Sequence, residues 1–181
     1  MGSDKLHDWL QIVGAAAIVA SLIFVGMQLK QSQDIAIANQ YQARFESAAE
    51  TARAYIQSDT ALKAWGRFLT DKIQSDGSIS EEFRAWAQGQ SPEEIAFRYW
   101  SAYIELKTHD NHLFQYEQGF IEAESWLAFR ETFKLMLSAP KELYVVRQIY
   151  LDNPGIWRRS FSKYVEELLS EIQTERADSQ Y

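Results

Sequence analysis

The sequence predicts an all-α protein in which one N-terminal transmembrane helix continues into a long stalk helix and then into a helical bundle domain. Residues 9–29 carry no charged side chain, and no glycine or proline occurs between Met27 and Trp65. The remaining apolar residues recur at helical spacing, without the alternation typical of strands. The predicted regions are a tail (1–8), a transmembrane helix (9–29), an amphipathic stalk (30–57), a bundle (58–173) and a polar tail (174–181).

Residues 9–29 have the length and composition of a membrane span. At about 1.5 Å per residue the segment covers roughly 30 Å, the thickness of the hydrocarbon core. A helix satisfies its backbone amides internally, and Trp9 and Lys30 suit the two interfaces. Two alternatives stay open, namely a buried core helix of a soluble protein and a signal peptide cleaved at Ala36-Ile37-Ala38. The acidic N-terminal tail argues against the signal peptide.

Small and polar residues mark one face of this predicted span. Gly14, Ser21 and Gln28 are spaced seven apart, and Ala17 lies close to the same face. Because apolar burial does not drive helices together in lipid, close approach at small residues and polar contacts promotes their association. We therefore expect helix association through this face, although alanine-rich spans are also found in monomers.

The stalk carries a narrow apolar stripe at alternating three- and four-residue steps, which is typical of a helix that packs against another helix. The other helix could come from the same chain or from a second copy. The stripe consists of Ile35, Ala38, Gln42, Phe45, Ala49, Ala52 and Ile56.

Turn and capping signals divide the bundle domain. A helix is predicted over 58–69, with Ser58 as its N-cap and Gly66 as a mild weakness. Asp76-Gly77-Ser78 predicts a turn, and Ser80 begins a short helix that ends near Gly89.

Ser91-Pro92-Glu93-Glu94 begins the helix that we expect at the centre of the bundle. It combines an N-cap serine, proline at the first helical position and a glutamate placed for a capping box. The helix is apolar on two sides, so other helices should surround it. Thr108–Asn111 then predicts a turn or kink. A thin polar line is formed by Glu94, Arg98, Ser101 and Glu105.

A segment over 113–121 follows this turn, and three further helical segments complete the prediction. The first presents Trp126 and Phe133 on one face, and Pro140 breaks the chain after it. Asn153-Pro154-Gly155 stops the second, and the last runs from Ser160 to about Glu171.

Composition excludes several classes of function. The 181-residue chain has a net charge of −7, which argues against a nucleic-acid partner because nucleic acid needs a basic face. The absence of cysteine excludes disulfides, thiol nucleophiles and cysteine-ligated metals. No nucleophile elbow, P-loop or dinucleotide fingerprint is present, so we predict no catalytic residue and no cofactor.

Two groups of residues resemble a site by residue type. His109, His112 and Glu105 have spacings found in metal sites, but a metal needs more converging ligands, and Thr108–Asn111 also suits a solvated turn. Arg98, between Glu94 and Glu105, could hold an anionic or polar ligand if this line faces a gap in the bundle. The alternative is an exposed ion pair between Glu94 and Arg98, four residues apart.

The segment Ser21-Leu22-Ile23-Phe24-Val25-Gly26-Met27-Gln28-Leu29-Lys30-Gln31 resembles the end of the membrane helix in a family of small, uncharacterised bacterial single-pass inner-membrane proteins. In that family an apolar helix ends in a Gln-hydrophobic-basic-Gln run and continues into a helical domain. The resemblance implies a bacterial inner-membrane location, and it carries over no activity and no catalytic residue.

These observations favour a non-enzymatic, single-pass membrane protein whose helical domain scaffolds or regulates a complex at the membrane surface. Its predicted partners are membrane lipid and further copies of the chain or a larger membrane complex. Lys30 and Arg44 follow the span, which favours a cytoplasmic location for the domain. The alternatives are a homo-oligomeric pore lined by Gly14, Ser21 and Gln28, and a ligand sensor or enzyme that uses the bundle interior around Arg98.

Overall fold

The computed structural model of the chain describes residues 3–139, 145–150 and 153–178, and these residues form helices and connecting turns without any strand. The chain divides into two units, Met1–Tyr41 and Gln42–Tyr181. The long helix α1 (Ser3–Gln57) supplies the described part of the first unit and the beginning of the second. The predicted all-α fold class is therefore confirmed, and residues 42–57 of the predicted stalk belong to the bundle.

The second unit is a helical bundle. After α1 come α2 (Asp59–Ser75), α3 (Glu81–Ala87), α4 (Pro92–Glu117) and α5 (Ala123–Ser138). Residues 145–150 are helical and are labelled α6, and a short 3-10 turn (Pro154–Ile156) leads to α7 (Arg159–Asp178). The predicted break at Pro140 and the last three residues of the predicted tail lie outside the described residues.

Side-chain caps fix the starts of three helices, as the sequence predicts. The hydroxyl oxygens of Ser58 and Ser80 accept hydrogen bonds from the backbone three residues later. Ser91 and Glu94 form the full capping box, in which the Ser91 amide donates to Glu94 Oε2 at 2.8 Å. At the other end of α4, Gly119 adopts a φ of 77°, where a side chain would be strained, and allows the chain to turn away.

The helix α4 lies at the centre of the bundle, where it packs against both α2 and α5. The α5 helix in turn packs against α7. Within this unit a cluster of large apolar side chains from several helices is buried and forms the core. The most deeply buried are Leu106, Phe133, Leu137, Ile149, Phe161, Val165 and Leu168.

The α2 helix approaches the start of α4 through Gly66. A Cβ atom added at Gly66 would lie 2.2 Å from the backbone oxygen of Pro92, far inside van der Waals contact. From the sequence, this glycine was predicted only to weaken the helix slightly. The structure shows that its missing side chain makes the packing of α2 on α4 possible.

The predicted turn at Thr108–Asn111 is wrong. The α4 helix continues through these residues to Glu117, and His109, Asp110 and Asn111 are buried instead of solvated. Side chains from elsewhere in the bundle provide contacts for these polar groups, so the helix continues without a break.

Candidate functional site

Residues 9–29 of α1 expose their apolar side chains on all sides of the helix. Trp9 is 65 % exposed, Leu22 67 % and Phe24 62 %, and none of the residues in the most apolar 18-residue window is buried. By length and composition α1 is able to cross a membrane. A core helix of a soluble protein would instead bury most of this surface.

The face predicted for helix association lies along this exposed part of α1. Gly14, Ala17, Ser21 and Gln28 all belong to α1 and are exposed. Positions three, four and seven residues apart share one face of a helix. Apart from the backbone of its own helix, no atom lies within 4 Å of the position that a Cβ would take at Gly14, so the surface of the helix is open there. The association itself stays a prediction.

A cavity of about 260 Å³ lies beside α4 in the second unit. Three members of the predicted polar line, Arg98, Ser101 and Glu105, contribute to its wall. They lie seven residues apart at most, on one face of the helix. The remaining wall comes from Trp86, Gln90, Ala102, Met136, Val145 and Val146.

The fourth member of the polar line, Glu94, takes part in the helix cap. Its hydrogen bonding with Ser91, reinforced by the positive charge of Arg98, holds the pKa of the Glu94 carboxyl below its usual value. Glu94 therefore stabilises the start of α4, and Arg98 and Glu105 are the charged residues at the cavity wall. Binding of a ligand by these residues stays a prediction.

The two histidines considered as metal ligands pack against aromatic rings. The His109 ring stacks on Phe133 with 3.9 Å between centroids, and the His112 ring stacks on Phe129 with 4.1 Å. Burial, with a smaller effect of the neighbouring His112, lowers the pKa of His109 to about 3. Glu105 is exposed at the cavity wall. In the described part of the chain, no three His, Asp or Glu side chains come together as a metal site.

Asp110 of α4 forms an ion pair with Arg158 that the sequence did not predict. Arg158 Nε donates to Asp110 Oδ1 at 2.8 Å, and its Nη1 donates to Glu117 Oε2 at 2.6 Å. The Asp110 side chain is only 4 % exposed. The available signal was the spacing of Asp110 and Glu117, which places two carboxylates on one face of a buried helix and requires a cation nearby.

A second polar contact joins the end of α1 to α4 within the second unit. Asn111 Nδ2 donates a hydrogen bond to Gln42 Oε1 at 2.8 Å. Gln42 is the one polar residue in the predicted stripe of the stalk, and this interruption was the available signal. Further along, the Tyr55 ring stacks on Trp100 at 4.6 Å, so the end of α1 contacts α4 at two points, Gln42 and Tyr55.

No protein-family model, no curated protein and no solved structure matches the chain. The residues and contacts described above are therefore the basis for its function.

Proposed function

We propose that the chain is a single-pass protein of the bacterial inner membrane whose helical domain scaffolds or regulates a protein complex at the membrane surface. The observation that carries this proposal is the exposure of every large apolar side chain in residues 9–29, in contrast to the buried core of the second unit. The resemblance of residues 21–31 to the membrane-helix end of bacterial inner-membrane proteins supports the location.

The free energy of hydration supports a lipid surrounding for this segment. Twelve large apolar residues between Trp9 and Leu29 are more than half exposed. At about 1.5–3 kcal/mol for burial of each such side chain, leaving them in water costs on the order of 20 kcal/mol. A typical domain is stable by only about 5–15 kcal/mol. Lipid, or other helices within lipid, provides the surrounding that this segment needs.

The proposed self-association uses the face of Gly14, Ala17, Ser21 and Gln28. Small residues let two helix backbones approach closely, and serine and glutamine can form hydrogen bonds across the interface. A second copy of the chain is the simplest partner, because each copy presents the same face. Assembly in the membrane would bring the helical domains of several copies together at its surface.

Crosslinking of single-cysteine variants tests the self-association. The chain has no cysteine, so Ser21→Cys introduces one thiol on the proposed face, and Val19→Cys provides a matched control on a different face. We expect oxidation of native membranes to give a disulfide-linked dimer with Ser21→Cys and far less with Val19→Cys. Monomer only, or equal dimer from both variants, would contradict an interface on this face.

Thiol labelling tests the location of the domain. Glu124 is exposed on α5, so a single Glu124→Cys variant offers a reactive thiol in the helical domain. In intact bacteria a membrane-impermeant maleimide should leave this thiol unmodified, and lysis should make it reactive. Labelling of intact cells would place the domain on the opposite side of the membrane.

A further inference from the structure

We infer that the cavity beside α4 binds a small, elongated zwitterion, in which a carboxylate and an ammonium group are separated by an apolar chain. This site goes beyond the proposed membrane assembly and does not depend on it. The inference rests on the position of two opposite charges in the cavity wall and on the apolar side chains that face them.

The polar side of the cavity comes from a single helix. Arg98 and Glu105 are seven residues apart on α4, which is two turns or about 10.5 Å along the axis, and Ser101 lies between them. Arg98 and Glu105 are further apart than the three or four residues at which charges on one helix pair with each other, so they place a positive and a negative charge at different positions along the cavity. A ligand with opposite charges at its two ends matches this arrangement.

The remaining wall is suited to the middle of such a ligand. Met136 from α5 and Val146 from α6 contribute apolar surface, and Trp86 from α3 adds an indole ring. A methylene chain packed against these side chains would remove apolar surface from contact with water, and this burial stabilises the complex. A ligand without an apolar part would bury no apolar surface of its own against this wall.

The charged groups of the cavity remain accessible to water. Arg98 and Glu105 are exposed, whereas Val146 is buried. The two charges therefore keep much of their hydration without a ligand, and a bound carboxylate can be held by the planar, two-pronged guanidinium of Arg98. The cavity volume of about 260 Å³ lies below the roughly 300–1,000 Å³ typical of sites for drug-sized ligands, which favours a small metabolite.

Calorimetric titration of the full-length protein in detergent with 4-aminobutanoate, 6-aminohexanoate and 8-aminooctanoate tests the inference. We expect saturable binding with a clear dependence on chain length, because Arg98 and Glu105 are attached to one helix at a spacing of seven residues. Hexanoate and hexylamine, which each lack one charge, should bind at least about tenfold more weakly than 6-aminohexanoate, since tenfold corresponds to about 1.4 kcal/mol.

Three variants test separately what Arg98, Glu105 and the volume of the cavity contribute to ligand binding. Arg98→Met should weaken the amino acids and hexanoate about tenfold, whereas Glu105→Gln should weaken only ligands that carry an ammonium group. Ala102→Leu fills part of the cavity and should abolish binding of all of them. Arg67→Met and Glu124→Gln change exposed charges outside the cavity wall and serve as matched controls.

Several outcomes would overturn the inference. These are the absence of saturable binding for all three amino acids, equal affinity for hexanoate and 6-aminohexanoate, or affinities that Arg98→Met leaves unchanged. Arg98 is exposed, so its replacement should lower the melting temperature only slightly, and this measurement is made alongside the titrations. The result is independent of the crosslinking experiment, because the titration does not require self-association.

Discussion

Two helical regions of this chain are apolar on nearly all sides, and their side chains have opposite surroundings. In residues 9–29 of α1, Leu22 is 67 % exposed, whereas Leu106 of α4 is completely buried. The two regions also differ in their polar residues. α4 carries buried polar side chains with specific protein partners, such as Asp110 with Arg158, whereas residues 9–29 contain no charged residue. A helix that is apolar on all sides must be surrounded by protein or by lipid. Its polar residues indicate which of the two surrounds it.

The largest expected effect comes from placing charge in the exposed apolar region. Val19→Asp combined with Ile23→Asp introduces two carboxylates near the middle of the proposed span. Each costs about 2.5–3.5 kcal/mol on insertion scales, and the pair costs roughly 5–7 kcal/mol. We expect the double variant to lose its membrane association in cell fractionation.

Ile37→Asp provides the matched control for this variant. Ile37 is also an exposed apolar residue of α1, at 52 % exposure, but it lies beyond the proposed span. This variant should remain in the membrane fraction. If the double variant also stays in the membrane fraction, the proposed lipid surrounding of residues 9–29 is wrong.

The next largest effect concerns the buried charge of α4. Arg158→Met removes the guanidinium that donates to the buried Asp110 carboxylate, and removal of one partner of a buried pair typically costs about 3–5 kcal/mol. We expect a corresponding loss of stability in denaturant unfolding. Combining Arg158→Met with Asp110→Asn removes the buried charge and should recover part of the loss. A single variant as stable as the unmodified protein would contradict the assignment of this pair as a stabilising contact.

The close packing of α2 on α4 predicts a smaller effect. Gly66→Ala places a methyl group against the Pro92 backbone oxygen, and such overpacking typically costs about 1–3 kcal/mol. Gly89→Ala is the matched control, because no atom lies within 4 Å of the added Cβ. We expect the melting temperature to fall for Gly66→Ala and to change little for Gly89→Ala. Equal melting temperatures for the two variants would mean that α2 can shift without cost.

Patterns among residues close in sequence predicted much of the fold. They predicted fewer of the polar contacts between helices. Ser91 and Glu94 are neighbours in sequence, so their capping box and the start of α4 could be predicted. Thr108–Asn111 was predicted as a turn because these residue types favour turns when water is their partner. Their actual partners are distant in sequence, since Arg158 lies 48 residues from Asp110 and Gln42 lies 69 residues from Asn111.

The same limit applies to packing and to the cavity. The role of Gly66 depends on the Pro92 oxygen in another helix, which no local pattern reveals. The polar line on α4 could be predicted from helical spacing, because Arg98, Ser101 and Glu105 repeat every three or four residues. The apolar side chains opposite them come from three other helices, so the sequence alone could not place a cavity there.

The smallest expected effect is a pH dependence that arises from His109. Burial lowers its pKa to about 3 in the folded protein, with a further contribution from His112, whereas an unfolded histidine has a pKa of about 6.5. Below pH 6.5 the unfolded chain therefore binds a proton that the folded protein does not, and stability falls as the pH falls from 6.5 towards 3. Between pH 7 and pH 5.5 this histidine should lower the free energy of unfolding by about 1 kcal/mol.

Replacement of His109 isolates this contribution. His109→Phe keeps an aromatic ring against Phe133 and removes the titrating group, so the loss of stability between pH 7 and pH 5.5 should be smaller by about 1 kcal/mol. His7→Phe, at an exposed position of α1 in the first unit, serves as the control for loss of a histidine outside the bundle. Denaturant unfolding at the two pH values measures both variants. If His109→Phe and the unmodified protein lose stability equally, then His109 is protonated in the folded protein, and α4 accommodates a buried charge at this position as it does at Asp110.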